Sequence, residues 1–235
     1  MTRLLAIETS SQACSVALAI DGSVIEQYEV MPKRHAQSLL PMIHTVLAEA
    51  ACELSSLDAI AFARGPGSFT GIRIATSVAQ GLAFGVDLPL VSVSTLAALA
   101  QTVYRQYQNE QIIAVLDARM KEIYWGCYQA NSGCVELVEK EHMTYPEMLQ
   151  PQIAFESRKR WVGVGDGWGE GIALPDLLRQ KIKHVYNPCY PHAQAVLRLA
   201  QRDFSYGLLL SPELAQPTYM RDKTAWRKSP KYSEH

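Results

Sequence analysis

The hydrophobic positions of this chain change period several times, and each change marks where one element gives way to the next. Leu4 to Thr9 and Ala13 to Ile20 are mainly apolar, small or β-branched runs of strand length. Asp21-Gly22 is a two-residue hairpin signal ahead of Val24, Ile25, Tyr28 and Val30, so the first thirty residues predict three strands. From Ala36 to Ala51 the period lengthens to that of a helix. Pro41 is expected near its first turn, where backbone N–H groups lack intrahelical partners. A strand over Leu57 to Ala63, a helix over Thr70 to Phe84 closed by Gly85, a strand over Leu90 to Val93 and a helix opened by Ser94 come next. The order β-β-β-α-β-α-β-α predicts an antiparallel meander continued by parallel strands with helices on its faces, the ribonuclease-H-like arrangement.

The second half repeats that opening in weaker form. Ile112 to Asp117 and Glu122 to Gln129 read as strands, and Asn131-Ser132-Gly133 turns the chain into Val135 to Val138. A strand at Trp161 to Gly165 and helices at Asp176 to Ile182 and His192 to Phe204 come later. The predicted class is α/β with two ribonuclease-H-like lobes, residues 1–108 and 109–235, the second degenerate.

Two helices are too apolar for a single buried stripe. In the first, Leu39, Leu40, Met42, Ile43, Val46, Leu47, Ala50 and Ala51 cover more than the usual ~100°. The second does the same with Ile72, Ile74, Ala75, Val78, Ala79, Leu82 and Phe84, while Gly71, Ala75, Ala79 and Ala83 set small residues at four-residue spacing. With one face on the sheet, the rest predicts a protein-partner surface, unless a second layer of the chain covers it.

At the junction of the fourth predicted strand and its helix lies Arg64-Gly-Pro-Gly-Ser-Phe-Thr-Gly-Ile-Arg73. Gly65, Gly67 and Gly71 force tight backbone geometry, and Ser68 or Thr70 can cap the helix beyond the loop. A strand, loop and helix N-terminus can hold an anion on free N–H groups. This loop has neither the phosphate-loop lysine nor dinucleotide glycine spacing, so packing the helix onto the sheet is the first reading and anion binding the second.

Composition narrows the classes. The 235 residues, 48% hydrophobic, suffice for one sizeable core or two small ones. No run approaches the roughly 20 apolar residues of a membrane span, and Met1 leads directly into a strand; a cytoplasmic location with no membrane partner is expected. Cys14, Cys52, Cys127, Cys134 and Cys189 form no CxxC pair and read as ordinary thiols. The net charge of −1 hides a basic tail, in which Arg221, Lys223, Arg227, Lys228 and Lys231 face only Asp222 and Glu234, with Trp226 and Tyr232 interleaved. Such a tail suits RNA phosphates and bases, although a solvated terminus is commoner.

Catalytic constellations are scarce. His35 and His44 are nine apart, so no i, i+4 metal pair exists there, and His142, His184, His192 and His235 are scattered. There is no GxSxG elbow and no cysteine matched to a histidine. For phosphoryl transfer, Glu8 and Asp117 are the candidate carboxylates, in the turns Glu8-Thr9-Ser10-Ser11 and Asp117-Ala118-Arg119-Met120. Neither turn contains the glycine that would admit a phosphate, so nucleotide binding by this chain alone is expected to be weak or absent. Asp166, between glycines, reads as a turn residue before a ligand.

Four motifs together resemble a known family. Ala6-Ile-Glu-Thr-Ser-Ser11 with Ser15-Val-Ala-Leu18, Gly65 to Arg73, Leu116-Asp-Ala-Arg119 followed by Glu122-Ile-Tyr124, and Pro217-Thr-Tyr-Met-Arg221 are similar to the TsaB (YeaZ) family, over residues 4 to about 228. The resemblance implies a fold of the actin and sugar-kinase (ASKHA) type and a role in making threonylcarbamoyladenosine in tRNA. It implies a non-catalytic subunit that pairs with TsaD, the subunit that transfers the threonylcarbamoyl group from its adenylate to N6 of the adenosine beside the anticodon. A TsaE-like ATPase completes the assembly, tRNA is met through the complex, and homodimers compete for the pairing surface. No catalytic residue, metal or tightly bound cofactor is expected in this chain, with ATP or ADP only at an interface with partners. The pairing surface falls on the two apolar helices, through Leu39, Met42, Ile43, Val46, Ile72, Ala75, Val78, Ala79 and Leu82. The alternatives are a peptidase acting on its partner and an actin-like small-molecule kinase.

Overall fold

The computed structural model describes residues 2–151 and 160–220, arranged around two sheets. β1 (Leu4–Glu8), β2 (Ala13–Ile20), β3 (Ser23–Val30), β4 (Ala59–Gly65) and β5 (Leu90–Ser94) form the first, in the order β3-β2-β1-β4-β5. β1 to β3 are an antiparallel meander, and β4 and β5 continue from β1 in parallel. Asp21 and Gly22 turn the β2–β3 hairpin with φ of 49° and 85°, the left-handed pair that a two-residue turn requires.

The second sheet contains β6 (Gln111–Arg119), β7 (Glu122–Asn131), β8 (Cys134–Leu137), β9 (His142–Thr144), β10 (Trp161–Val164) and β11 (Ile182–Tyr186). Its path β11-β10-β6-β7-β8, read from β8, has the order and directions of the first sheet. β9 pairs with β7 beside that path. β9 and β11 were not expected from the sequence. Three residues are too few for a period, and Ile182, assigned to the end of a helix, instead begins the last strand.

The helices are α1 (His35–Glu49), α2 (Phe69–Gly85), α3 (Thr95–Tyr107), α4 (Asp176–Lys181) and α5 (Ala193–Ser205). Ser94 caps α3, accepting from Ala97 N–H at 3.3 Å. Pro41 lies inside α1 beyond its first turn, contrary to expectation. It sits on the solvent side, and its carbonyl still accepts from the Thr45 hydroxyl at 3.0 Å.

Alternation along the strands sorts the core into layers. Leu5 and Ile7 of β1 point outward with Val16, Leu18, Ile60 and Phe62, where α1 and α2 cover them through Leu39, Ile43, Val46, Ala75 and Ala79. Leu4 and Ala6 point to the middle of the molecule, where α3 and α5 lie between the sheets. The two halves exchange helices there. α5, late in the chain, packs on the first sheet, while α3, early in the chain, packs on the second. A third cluster around Trp125, Trp161, Trp168 and Leu178 covers the far face of the second sheet.

After α5 the chain crosses back to the first half as a strap. Leu210 bridges Leu90 at the edge of the first sheet, and Gln80 of α2 donates to the carbonyls of Pro212 and Ala215, both at 2.9 Å. This strap is the second layer that the sequence left open for α2, and it covers part of that helix. The basic tail from Arg221 onward lies outside the described residues.

Candidate functional site at the cleft turns and the outer helix face

Glu8 ends β1 and, by alternation with Leu4 and Ala6, faces the middle layer. It is fully buried, and its Oε1 accepts from the Ser10 N–H at 2.7 Å and from the Ser10 hydroxyl. Oε2 has no partner. Burial pushes the carboxyl up to about 7, against the lowering effect of the Ser10 hydrogen bonds. A carboxyl that is half neutral at pH 7 and closed off from solvent is poorly suited to holding a magnesium ion.

The glycine loop is the reason this turn is closed. A Cβ on Gly71 would stand 1.9 Å from the Thr9 carbonyl oxygen, and one on Gly67 would stand 2.6 Å from that of Ser10. The Thr9 hydroxyl donates to Gly71 O at 2.8 Å, and Ser68 N–H donates to Ser10 O at 2.8 Å. Ser68 caps α2 by accepting from Gly71 N–H at 3.3 Å, whereas Thr70 is exposed. Gly65 adopts φ of +105° beside the Thr218 carbonyl of the strap. The N–H groups of Ser68 and Gly71 are engaged within the protein, which favours the packing reading of the loop.

Asp117, near the end of β6, occupies the corresponding place in the second half. Its carboxylate accepts from Arg119 N–H at 2.7 Å and pairs with the Arg119 guanidinium at 2.9 Å. Its own N–H donates to Asp166 Oδ1 at 2.9 Å, which makes Asp166 the turn residue that its sequence suggested. Burial raises the Asp166 carboxyl above its ordinary range, while the hydrogen bond from Asp117 opposes the rise. Among the described residues, no three His, Cys, Asp or Glu side chains meet as a metal site requires.

The expected partner residues divide into two groups. Leu39, Ile43, Val46, Ile72, Ala75 and Ala79 are buried inside the protein, all but Ile72 in the core cluster on the outer face of the first sheet, so none of the six lies open to a partner. Met42, Val78 and Leu82 are half-buried. The helices read as doubly apolar because a sheet-facing row and an outward row lie side by side, and composition alone does not say which is which. The outward row of α2 is Ile74, Val78 and Leu82, flanked by exposed Ser77 and Gly81. On α1, Leu40 is 52% exposed. A Cβ at Gly81 would stand in open space. Ser77 and Gly81 were not singled out from the sequence, and Leu40 and Ile74 were counted among the apolar residues of the two helices but not assigned to the pairing surface. Counting four residues either way from Val78 would have separated this row from Ala75, Ala79 and Ala83.

Comparison with known proteins places these features. Residues 23–161, from β3 to the start of β10, match the family model described as "TsaD: tRNA N6-adenosine threonylcarbamoyltransferase". The chain is 39% identical to the tRNA threonylcarbamoyladenosine biosynthesis protein TsaB of Escherichia coli strain K12, over 97% of this chain and 98% of that one. The chain belongs to the TsaB family. The Haemophilus influenzae TsaB is 36% identical over 97% of both chains. The solved structure of YeaZ from Pseudomonas aeruginosa has a TM-score of 0.88 at 44% identity, covering 93% of this chain and 100% of that one. A second Pseudomonas aeruginosa structure, described as an uncharacterized protein with similarity to peptidase YEAZ, has the same TM-score at 45% identity, covering 94% of this chain and 100% of that one. The near-complete coverage shows that this TsaB-family chain and its relatives share the whole two-sheet arrangement.

Proposed function

We propose that this chain works in tRNA threonylcarbamoyladenosine biosynthesis as a non-catalytic cytoplasmic subunit that binds a TsaD-like transferase and holds it in its active arrangement. The observation that carries the reading is the outward face of α2, where half-exposed Ile74, Val78 and Leu82 border Ser77 and open Gly81. Small residues between apolar ones let a partner helix approach closely, which is what a subunit related to its partner would present. A second copy of the chain fits the same face, so self-association and pairing with the transferase compete there. A TsaE-like ATPase completes the assembly, and tRNA reaches it through the complex.

The peptidase and kinase readings find less support. Burial pushes the Cys14 and Cys189 thiols up to about 12 and about 11, the opposite of what a thiolate nucleophile needs. The Glu8–Ser10 turn, where an actin-like kinase would admit phosphates, is filled by the glycine loop.

The test is Gly81→Arg. Buried Ala79 would be a poor choice, because a bulky charge there would disrupt the core itself. A Cβ added at Gly81 meets nothing within 4 Å, so a side chain there starts out into open space, and replacing a helical glycine favours the monomer fold. The variant should fold normally, fail to bind the TsaD-like subunit in calorimetry, and give no modified adenosine in a reconstitution scored by nucleoside mass spectrometry. Unchanged binding would show that the outer helix face is not the pairing surface.

A further inference from the structure

The exchange of helices carries the chain between the two sheets twice, and the two crossings are built differently. At the first, the chain leaves β5 of the first sheet at Ser94 and enters α3, the helix packed on the second. At the second, residues 187–192 leave β11 of the second sheet and enter α5, the helix packed on the first.

The first crossing is pinned by a carboxylate. Glu141, in the segment between β8 and β9, accepts through Oε1 from the Ser94 hydroxyl and, at 2.5 Å, from the Tyr128 hydroxyl. Ser94 is also the cap of α3, so the bond falls on the residue at which the chain changes sheets. Hydroxyl-to-carboxylate bonds are roughly twice as strong as neutral ones. Tyr128 belongs to the second sheet and orients Glu141 from there. Its burial, together with the Glu141 carboxylate, holds the hydroxyl well above the ordinary tyrosine range, so it remains a donor. Gly126, on the same face of β7, leaves room for both groups. A Cβ there would stand 3.1 Å from the Tyr128 ring and 3.4 Å from Glu141 Cγ. On this same side of the second sheet, Arg198 and Arg202 of α5 reach the carbonyls of Ser132 and Val135 at 3.3 and 3.0 Å.

The second crossing borders empty space. A cavity of about 570 Å³ is lined by Tyr28 and Val30 of β3, Tyr107 of α3 and Tyr186 of β11, and Asn187 to Tyr190 run along it. The rings are paired within each side: Tyr28 stacks on His192 of α5 at 4.0 Å, and Tyr107 stacks on Tyr186 at 4.2 Å. Each wall is therefore complete without the other. His192 N–H donates across to the Thr102 hydroxyl at 3.2 Å, and Arg105 meets Gln194 across the same side where both are exposed. These are slighter ties than the Glu141 pin.

We propose that the second sheet swings against the first about the Glu141–Ser94 pin, with the β3–β11 side as the edge that opens and closes. Opening there keeps both stacked pairs, whereas opening at the other side breaks the bond to Ser94 and the two arginine contacts. The outer face of α2 moves with the first sheet, so the swing is independent of the pairing proposed above.

The test measures distances between nitroxide pairs on the full chain by pulsed dipolar spectroscopy. Half-buried Cys52 and Cys189 are replaced by serine, and buried Cys14, Cys127 and Cys134 stay. One pair, Glu29→Cys with Lys183→Cys, spans the β3–β11 side; the other, Leu209→Cys with Leu137→Cys, spans the pinned side. The distribution across the β3–β11 side should be at least about twice as wide as the other. Glu141→Ala and the gentler Tyr128→Phe should widen the pinned side, and Glu141→Gln, which keeps an acceptor for Ser94, should restore most of its narrowness. Equal widths in the chain with its pin intact would overturn the proposal, and so would a pinned side left unchanged by both Glu141→Ala and Tyr128→Phe. The first comparison needs no pin variant, so it decides even if Glu141→Ala fails to fold.

Discussion

Gly65 and Gly165 occupy matching places in the two halves, one closing β4 and the other just beyond β10, and both adopt φ of +105°. Each opens a loop that packs on the central strand of its sheet or on the turn just beyond it. In the first half, Gly67 and Gly71 press on Ser10 and Thr9; in the second, Gly165 and Gly167 press on Val115. The two loops then diverge. The first leads into the 17-residue α2, capped by Ser68 and lying close on the sheet, whereas the second leads only into a three-residue turn, Asp166–Trp168. The carboxylates differ accordingly, since Glu8 is sealed in with one oxygen unpartnered while Asp117 is partly exposed and paired with Arg119. The same loop is therefore a way of bringing a helix against the strand in one half and of shaping a turn in the other. Of the two loops, the first leads into a long helix that lies on its sheet and the second does not.

The largest effects should come from filling these contacts. Gly71→Ala puts a methyl group 1.9 Å from the Thr9 carbonyl, where backbone must move, and it should cost about 3 kcal/mol or more in urea unfolding. Gly165→Ala combines a 2.3 Å approach to Val115 O with a positive φ and should cost at least as much. If one variant is harmless and the other severe, the two loops are not equivalent packing devices.

The two carboxyls that folding shifts upward, buried Glu8 and more exposed Asp166, give the next effect, and its sign is set by the direction of the shift. Glu8 rises from 4.5 to about 7 on folding, so between those values the folded state binds the extra proton. Stability is therefore undiminished below the unfolded value and falls as pH rises through about 7, by up to about 3 kcal/mol at 1.36 kcal/mol per unit. Glu8→Gln should flatten the decline in unfolding free energy between pH 5 and 8. Its second amide hydrogen must still find a partner, so a net gain of about 2 kcal/mol at pH 8 is expected. Asp166 is raised in the same direction but retains its hydrogen bond from Asp117, so Asp166→Asn should flatten the profile less. A wild-type profile with no decline over this range would contradict the burial of Glu8.

Legibility in the sequence tracked the strength of local signals. The meander, the hairpin at Asp21-Gly22, the Ser94 cap and the glycine loop were each announced by residues whose backbone demands are specific. β11 was missed because Ile182 to Tyr186 alternates with charged and aromatic residues at the open edge of a sheet, and nothing nearby in sequence reveals that β10 will be its neighbour. The helix face was half legible. That α1 and α2 carry more apolar surface than one contact needs was visible, but the choice between Ala79 and Val78 as the outward residue depends on helix rotation against the sheet. That rotation is set by tertiary contacts such as Gly71 on Thr9 and Gln80 on the strap. The exchange of α3 and α5 between the sheets leaves no local trace at all, because each helix is simply apolar on the face it buries.

The smallest effect separates the two turns themselves. Arg119, Met120 and Lys121 adopt φ of 63°, 55° and 64°, three successive left-handed residues without a glycine, whereas Ser11 in the first turn has no positive φ. A non-glycine residue in that region costs about 1 kcal/mol, and glycine relieves the cost while giving back part of it through the freer unfolded chain. Exposed Lys121 should therefore gain about 0.5 kcal/mol on replacement by glycine and lose about 1 kcal/mol on replacement by valine, whose branched Cβ tolerates the region least. Ser11→Gly should instead lose stability, because the Ser11 hydroxyl accepts from Ala13 N–H at 3.1 Å and the backbone there needs no glycine. Thermal unfolding of the three variants in parallel reads the difference. A gain at both sites would mean that the second turn is no more strained than the first, and the left-handed run would then be an unstressed part of how the second lobe presents Asp117.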